Sequence, residues 1–162
     1  MRALTLSLLG AAALALTGCG FTPLYAEPGV AAGLAGIAVT TEDSRLGFTL
    51  RGELEDELGV SGGVPLWRLQ VDPAAERRPL GRRIDDTAVR YELTLRGKWT
   101  LTPASGGEPL VGEEAAVVTY ESADQPYAAI AAAQDGESRA AAELARLIRL
   151  DIARRLAERS AP

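Results

Sequence analysis

Hydrophobic residues along this chain follow two different periods. Leu46, Leu50, Leu54 and Leu58 recur at every fourth position, the spacing that lines one face of an α-helix. Glu42-Asp43-Ser44 in front of them are helix-start residues, and Gly59 behind them is a natural stop. Gly47 and Gly52 weaken this helix locally and are expected to let it approach a sheet closely. From Val89 to Leu101 the period is two. Val89, Tyr91, Leu93, Leu95, Trp99 and Leu101 point one way, while Arg90, Glu92, Thr94, Arg96, Lys98 and Thr100 point the other. A helix would scatter these residues around its axis, so the segment is a strand with one buried face.

Shorter signals complete the series. Ile37 to Thr40 is a small apolar strand, and Trp67, Leu69 and Val71 alternate with Arg68 and Gln70 in another. The stretch from Asp72 to Gly81 carries Pro73 and Pro79 and is expected to be a loop. Pro103 to Pro109, with Gly106-Gly107 inside, reads as a hairpin connection, and Val111 to Tyr120 as the returning strand. From Ala115 to Val118 both faces of that strand are apolar, which predicts cover on both sides. The last element is a helix from about Gln134 to Arg159, striped by Leu144, Ile148, Ile152 and Leu156 with Ala141 and Leu147 beside them. The order is βαβββα. The economical packing is an α+β domain over 37–159, with two helices on one face of a small mixed four-stranded sheet.

The first residues follow neither period. Arg2 opens a charge-free run from Ala3 to Leu16, fourteen residues, which is short of the roughly 20 needed to cross a bilayer. The run ends in Leu16-Thr17-Gly18-Cys19, a lipobox. Residues 1–18 are therefore expected to be a lipoprotein signal peptide, with Cys19 taking a diacylglycerol and, on its freed amine, an acyl chain. Each buried methylene contributes roughly 0.8 kcal/mol, so two or three such chains hold a protein on a membrane. Residues 19–36, rich in Pro, Gly and Ala, read as the lipidated tether.

Composition narrows the chemistry. The 162 residues contain no His and one Cys, which removes an imidazole base, a disulfide framework and a thiolate zinc cluster. Six serines follow the lipobox with no His to activate them. Asp85-Asp86 and Glu113-Glu114 are neighbours that a strand would point to opposite faces. The expectation is a protein that is not an enzyme and holds no metal or cofactor beyond its acyl groups. The net charge of −5 also speaks against nucleic acid as a partner.

Charge is unevenly spread. Glu76 to Lys98 holds seven cations against four acids, whereas Trp99 to Ser138 holds seven acids and no cation. Arg82, Arg83, Arg90, Arg96 and Lys98 are the candidates for contact with an anionic ligand or a partner, because guanidinium matches phosphate oxygens in bidentate fashion. The same cations would also keep an exposed sheet face soluble, and composition by itself favours that plainer role.

The Cys19-Gly20-Phe21-Thr22-Pro23-Leu24-Tyr25 start resembles that of the alphaproteobacterial LptE family of LPS-assembly lipoproteins. Arg45-Leu46-Gly47 with Leu50-Arg51, Thr87 to Leu93, Tyr120 with Tyr127-Ala128, and Arg139-Ala140-Ala141 with Leu144-Ala145 and Ile148-Arg149-Leu150 are similar to that family in order and spacing. The resemblance runs from Cys19 to about Leu156. It implies two helices against a four-stranded sheet. It also implies a lipid-anchored outer-membrane protein, on the periplasmic side, that plugs the lumen of an LptD-type β-barrel, assists its assembly and contacts lipopolysaccharide. Gly20, where an Asp would retain the protein, fits onward sorting. Of two basic positions that bind lipopolysaccharide in some relatives, Arg82 or Arg83 matches the first, while Ala131 to Gln134 leaves the second uncharged. The other class kept open is a periplasmic lipid carrier or an accessory lipoprotein of an envelope transporter, which would need an apolar cavity for acyl chains.

Overall fold

The computed structural model describes residues 34–82, 88–122 and 124–160; residues 1–18, expected to be a signal peptide, Cys19 with the expected tether, Arg83 and Asp85-Asp86 lie outside the described residues. Six elements follow Leu34: β1 (Ile37–Thr41), α1 (Arg45–Leu58), β2 (Trp67–Arg82), β3 (Ala88–Pro103), β4 (Leu110–Glu121) and α2 (Pro126–Ser160). The strands form one sheet in the order β1-β2-β3-β4. β1 runs parallel to β2, with Ile37 opposite Trp67, and the other neighbours are antiparallel. Parallel neighbours cannot be joined by a tight turn, so α1 serves as the crossover. The expected βαβββα, α+β architecture is the observed one.

Helix α1 starts and stops where local chemistry dictates. Ser44 is extended and its hydroxyl accepts from the Gly47 N–H at 3.0 Å. Gly59 adopts φ 64°, which a side chain would resist, and the Val60 N–H returns to the Glu55 carbonyl at 3.1 Å. Leu50, Leu54 and Leu58 are buried as the period demands. The two internal glycines do something other than expected. A Cβ on Gly47 would fall 2.2 Å from the Glu42 carbonyl oxygen, so its close approach is to the turn before the helix, and Gly52 faces open space. Neither brings α1 to the sheet.

Helix α2 is 35 residues long and begins at Pro126, well before Gln134. Proline suits a first helical turn, and the alanines that follow are the best helix formers, yet the two larger apolar residues among them, Tyr127 and Ile130, stay exposed and make no stripe to read. Its stripe is as expected from Ala141 on: Leu144, Ile148 and Ile152 are fully buried against Leu69, Val71, Leu95, Trp99 and Leu101 of the sheet. Ion pairs tie the helices side by side on that face, Arg45 with Glu137 and Arg149 with Glu57 at 3.2 Å.

Two strand readings are corrected. Asp72 to Gly81 is not a loop: β2 continues through it, paired with β3 from Trp67↔Pro103 to Arg82↔Ala88. β1 ends opposite Val71, so among the described residues one side of β2 is an open edge from Asp72 onward. Pro73 and Pro79 have the same parity, and a proline whose nitrogen faces an open edge removes no ladder bond. They also deny that edge to other strands. Nor is β4 covered twice: Ala115 and Val117 are exposed on the face away from the helices.

Candidate ligand and partner surface

The open face of the sheet carries Arg90, Glu92, Thr94, Arg96, Lys98 and Thr100 of β3, because their period-two partners Leu93, Leu95, Trp99 and Leu101 point into the core. Cross-strand neighbours decide what each cation can do. Arg90 lies opposite Glu121 and pairs with it at 3.0 Å; Glu92 is taken by Arg78 at 2.7 Å. Lys98 sits between Asp72 and Glu113 in register. Arg96 sits between Ala74 and Ala115, with no acid directly beside it. The face is thus a mixed-charge surface on which Arg96, like Arg68 between Ala38 and Thr102, has no acid directly opposite it.

The five candidates do not gather into one cluster. Arg96 and Lys98 stand two residues apart on one face, while Arg90 lies six residues from Arg96, about 20 Å at the usual strand rise. Arg82 ends β2 opposite Ala88, near Arg90 rather than Arg96. Arg83 lies outside the described residues.

A further cation belongs with this end of the sheet and was not singled out from the sequence. Arg77 has the parity of Leu69 and Val71, so it projects on the helix-bearing face, past the part that helices cover. Its guanidinium lies 4.7 Å from the centroid of Tyr91, and its Nη1 donates to the Tyr120 hydroxyl at 3.3 Å. The two tyrosines stack at 5.5 Å. The Tyr120 hydroxyl, first by hydrogen bond and then by charge, holds Arg77 even more firmly in its cationic form. Gly136 of α2 makes room for Tyr120, since a Cβ there would be 2.8 Å from its Cδ1. Reading 72–81 as strand is the signal that would have placed Arg77 here.

A second charged group lies between β4 and α2 at the other end. Glu113 and Glu114 point to opposite faces as expected, and Glu114 faces Asp151, Arg154 and Arg155. Asp151 is 6% exposed and accepts from Arg154 and, at 3.0 Å, from Arg155. Arg155 in turn lies 5.2 Å from the centroid of the Trp99 ring. Burial first, and the Asp151 charge second, push the Glu114 carboxyl above the ordinary carboxylate range, against the pull of Arg154 and Arg155. The folded chain therefore holds this proton more tightly than the unfolded chain. Its contribution to stability falls as pH rises from the unfolded value through the raised folded one. Glu114→Gln, which carries no charge to bury, should melt higher than wild type at neutral pH. The gain should vanish near pH 4, where both side chains are neutral; a gain independent of pH would show that burial of the carboxylate is not its source.

Among the described residues no group of three His, Cys, Asp or Glu side chains could hold a metal ion, and no helix is long and apolar enough to cross a membrane.

The chain is similar to known proteins over most of its length. A model of the family described as LptE, lipopolysaccharide-assembly, matches residues 34–159. The crystal structure of a candidate lipoprotein from Caulobacter crescentus CB15 superposes with a TM-score of 0.69 at 42% identity, covering 83% of this chain and 99% of that one. The rare lipoprotein B of Shewanella oneidensis is more remote: 17% identity, TM-score 0.42, 75% of this chain and 90% of that one. Lipoprotein B of Nitrosomonas europaea stands at 19% and 0.47, over 69% and 80%. Curated proteins gave no match. With a family model spanning the whole α+β domain, from Leu34 ahead of β1 to Arg159 near the end of α2, the chain belongs to the LptE lipopolysaccharide-assembly family.

Proposed function

We propose that the protein is an outer-membrane lipoprotein, acylated on Cys19, that plugs an LptD-type β-barrel, assists its assembly and contacts lipopolysaccharide on the way to the outer leaflet. The observation that carries this reading is the family match over residues 34–159. The fold supports it. Its helix–sheet core is filled by side chains such as Trp99, Leu144 and Ile148, all under 2% exposed, rather than hollowed for acyl chains as a carrier would require. One sheet face is left open for a wall or a ligand. Arg96 and Lys98 on that face, with Arg90 and Arg82 toward its end, are the groups suited to phosphate oxygens. Arg83 is retained from the sequence reading as the remaining candidate.

Two experiments test the reading. Cys19→Ala should abolish labelling by a palmitate analogue, because the chain has no other thiol, and leave the precursor uncleaved or mis-sorted. Persistent label would sink the lipoprotein assignment. Charge-assisted bonds to phosphate contribute roughly 1.5–3 kcal/mol each, so losing two weakens binding by about two to four decades. Arg90→Glu/Arg96→Glu and, separately, Arg82→Glu/Arg83→Glu should leave the protein folded, the first at a cost of about 1 kcal/mol because it sets a second carboxylate opposite Glu121. Lost lipopolysaccharide binding with retained barrel co-purification assigns the face to the ligand. Loss of the barrel alone assigns it to the wall. Wild-type behaviour in both returns these cations to a solubilising role.

A further inference from the structure

The loop between α1 and β2 runs Val60-Ser61-Gly62-Gly63-Val64-Pro65-Leu66 without a single charge, whereas the described turn between β3 and β4 carries Glu108. Its apolar side chains are not spent on the core. Val64 is 90% exposed, Leu66 58% and Val60 36%. Backbone bonds fix the loop against the residues that lead into β1. The Ser61 N–H donates to the Ala35 carbonyl at 3.2 Å, and the Leu66 and Trp67 N–H groups donate to the Gly36 carbonyl at 2.8 and 3.2 Å. Between them opens a groove of about 260 Å³, lined by Ala35, Ile37, Val39, Val60 and Pro65 among others, with Glu55 its one charged neighbour. The turn after β3 shares this pole of the molecule, since the Ala104 N–H donates to the Leu66 carbonyl at 2.8 Å. So does the end of α2, where Arg159 donates to the Glu108 carbonyl at 3.1 Å.

Clustered exposed apolar residues mark a contact surface, and the position of this one says with what. Leu34, the first described residue, precedes the Ala35 and Gly36 that bond to the loop, and only fourteen residues, Gly20 to Gly33, separate Leu34 from Cys19. Drawn taut they span at most about 50 Å, and any slack brings this pole closer to the acylated end. Arg82 and Arg90 lie toward the opposite pole, Arg90 and Leu101 being eleven residues apart on β3, about 36 Å, while Arg96 and Lys98 stand between the two ends. An uncharged apolar tip, with Arg159 and the half-buried Trp67 at its rim, is the composition that settles at a phospholipid interface.

We propose that the Val60–Leu66 loop is a second membrane contact, resting in the lipid surface to which Cys19 is anchored and orienting the domain with its Arg82–Arg90 end away from that surface. This rests on the acyl anchor of the proposed function and goes beyond it, because an anchor on a tether fixes no orientation.

The test uses the mature acylated protein on vesicles of phosphatidylethanolamine and phosphatidylglycerol. Val64→Cys and Val117→Cys each receive a bimane label; Cys19, acylated, takes none. Both positions are exposed, so neither substitution disturbs the core. The Val64 label should shift to the blue on vesicle binding and lose at least half its emission when the lipids carry brominated acyl chains, while the Val117 label does neither. Protein that floats with the vesicles while its Val64 label stays as wet as the Val117 label overturns the inference and leaves the anchor standing. Protein that does not float overturns both. A Val64 label that is wet on vesicles but shielded when the protein is bound to its barrel also overturns the proposal, and makes the loop a protein contact instead.

Discussion

Ile148→Asp is expected to unfold the domain. Ile148 is completely buried in α2, and its Cδ1 stands 3.3 Å from where a Cβ on Gly97 of β3 would be. Losing the buried side chain costs about 2–3 kcal/mol, and a carboxylate left in its place without a partner costs several more. The sum approaches the whole stability of an ordinary domain, about 5–15 kcal/mol. Leu54→Asp on α1, equally buried, should behave alike. Circular dichroism melts and urea titrations decide the matter. The defect should ease as the pH is lowered toward about 4 and the new carboxylate takes up a proton. A variant that melts like wild type at neutral pH would mean that the helices do not pack on the sheet by these faces.

Gly112→Ala should cost more than any other single methyl added to the described sheet. Gly112 of β4 lies opposite Trp99 of β3, and the indole packs directly against it. A Cβ would meet Cζ2 at 2.4 Å, Cε2 at 2.5 Å and Nε1 at 2.7 Å, distances no relaxation of a few tenths can mend. Trp99 is 1% exposed and hemmed in by Arg155, so the ring must leave its rotamer or push α2 outward. Overpacking of this kind costs about 1–3 kcal/mol. Trp99→Leu loses packing by itself, but it leaves room for the methyl. The double variant should therefore be more stable than the two single losses predict, with a coupling of at least about 1 kcal/mol in urea titrations. Strict additivity would show that the ring does not rest on the glycine. Gly52→Ala is the contrast: nothing lies within 4 Å of its Cβ, and a helix gains about 1 kcal/mol from the exchange.

These glycines show where sequence reading stops. A glycine inside a strand or helix is visible at once, but whether it is a weak point or a seat for a ring depends on what lies across it. Gly47 and Gly52 look alike in the sequence, and the structure gives them opposite surroundings.

The candidate surface was legible in part. Arg90, Arg96 and Lys98 share a face because alternation is a property of the strand itself. What neutralises them is not local: Glu121 reaches Arg90 from β4, and Arg96 is left between two alanines, only because of the register between strands. Arg77 joins Tyr91 and Tyr120 from three different strands, and no spacing within any one of them shows it.

Periodicity along the chain was enough to determine the element order, the buried stripe of each helix and the inward face of β3, because side-chain direction repeats with the backbone that carries it. The tertiary structure alone decided the rest. It made Asp72–Gly81 strand in spite of two prolines, since an open edge asks nothing of their missing N–H. It left Ala115 and Val117 of β4 uncovered, since both helices lie on the other face. And it set the uncharged Val60–Leu66 loop beside Ala35 and Gly36 ahead of β1, because pairing β1 parallel to β2 returns the chain, through α1, to the end of the sheet from which it set out.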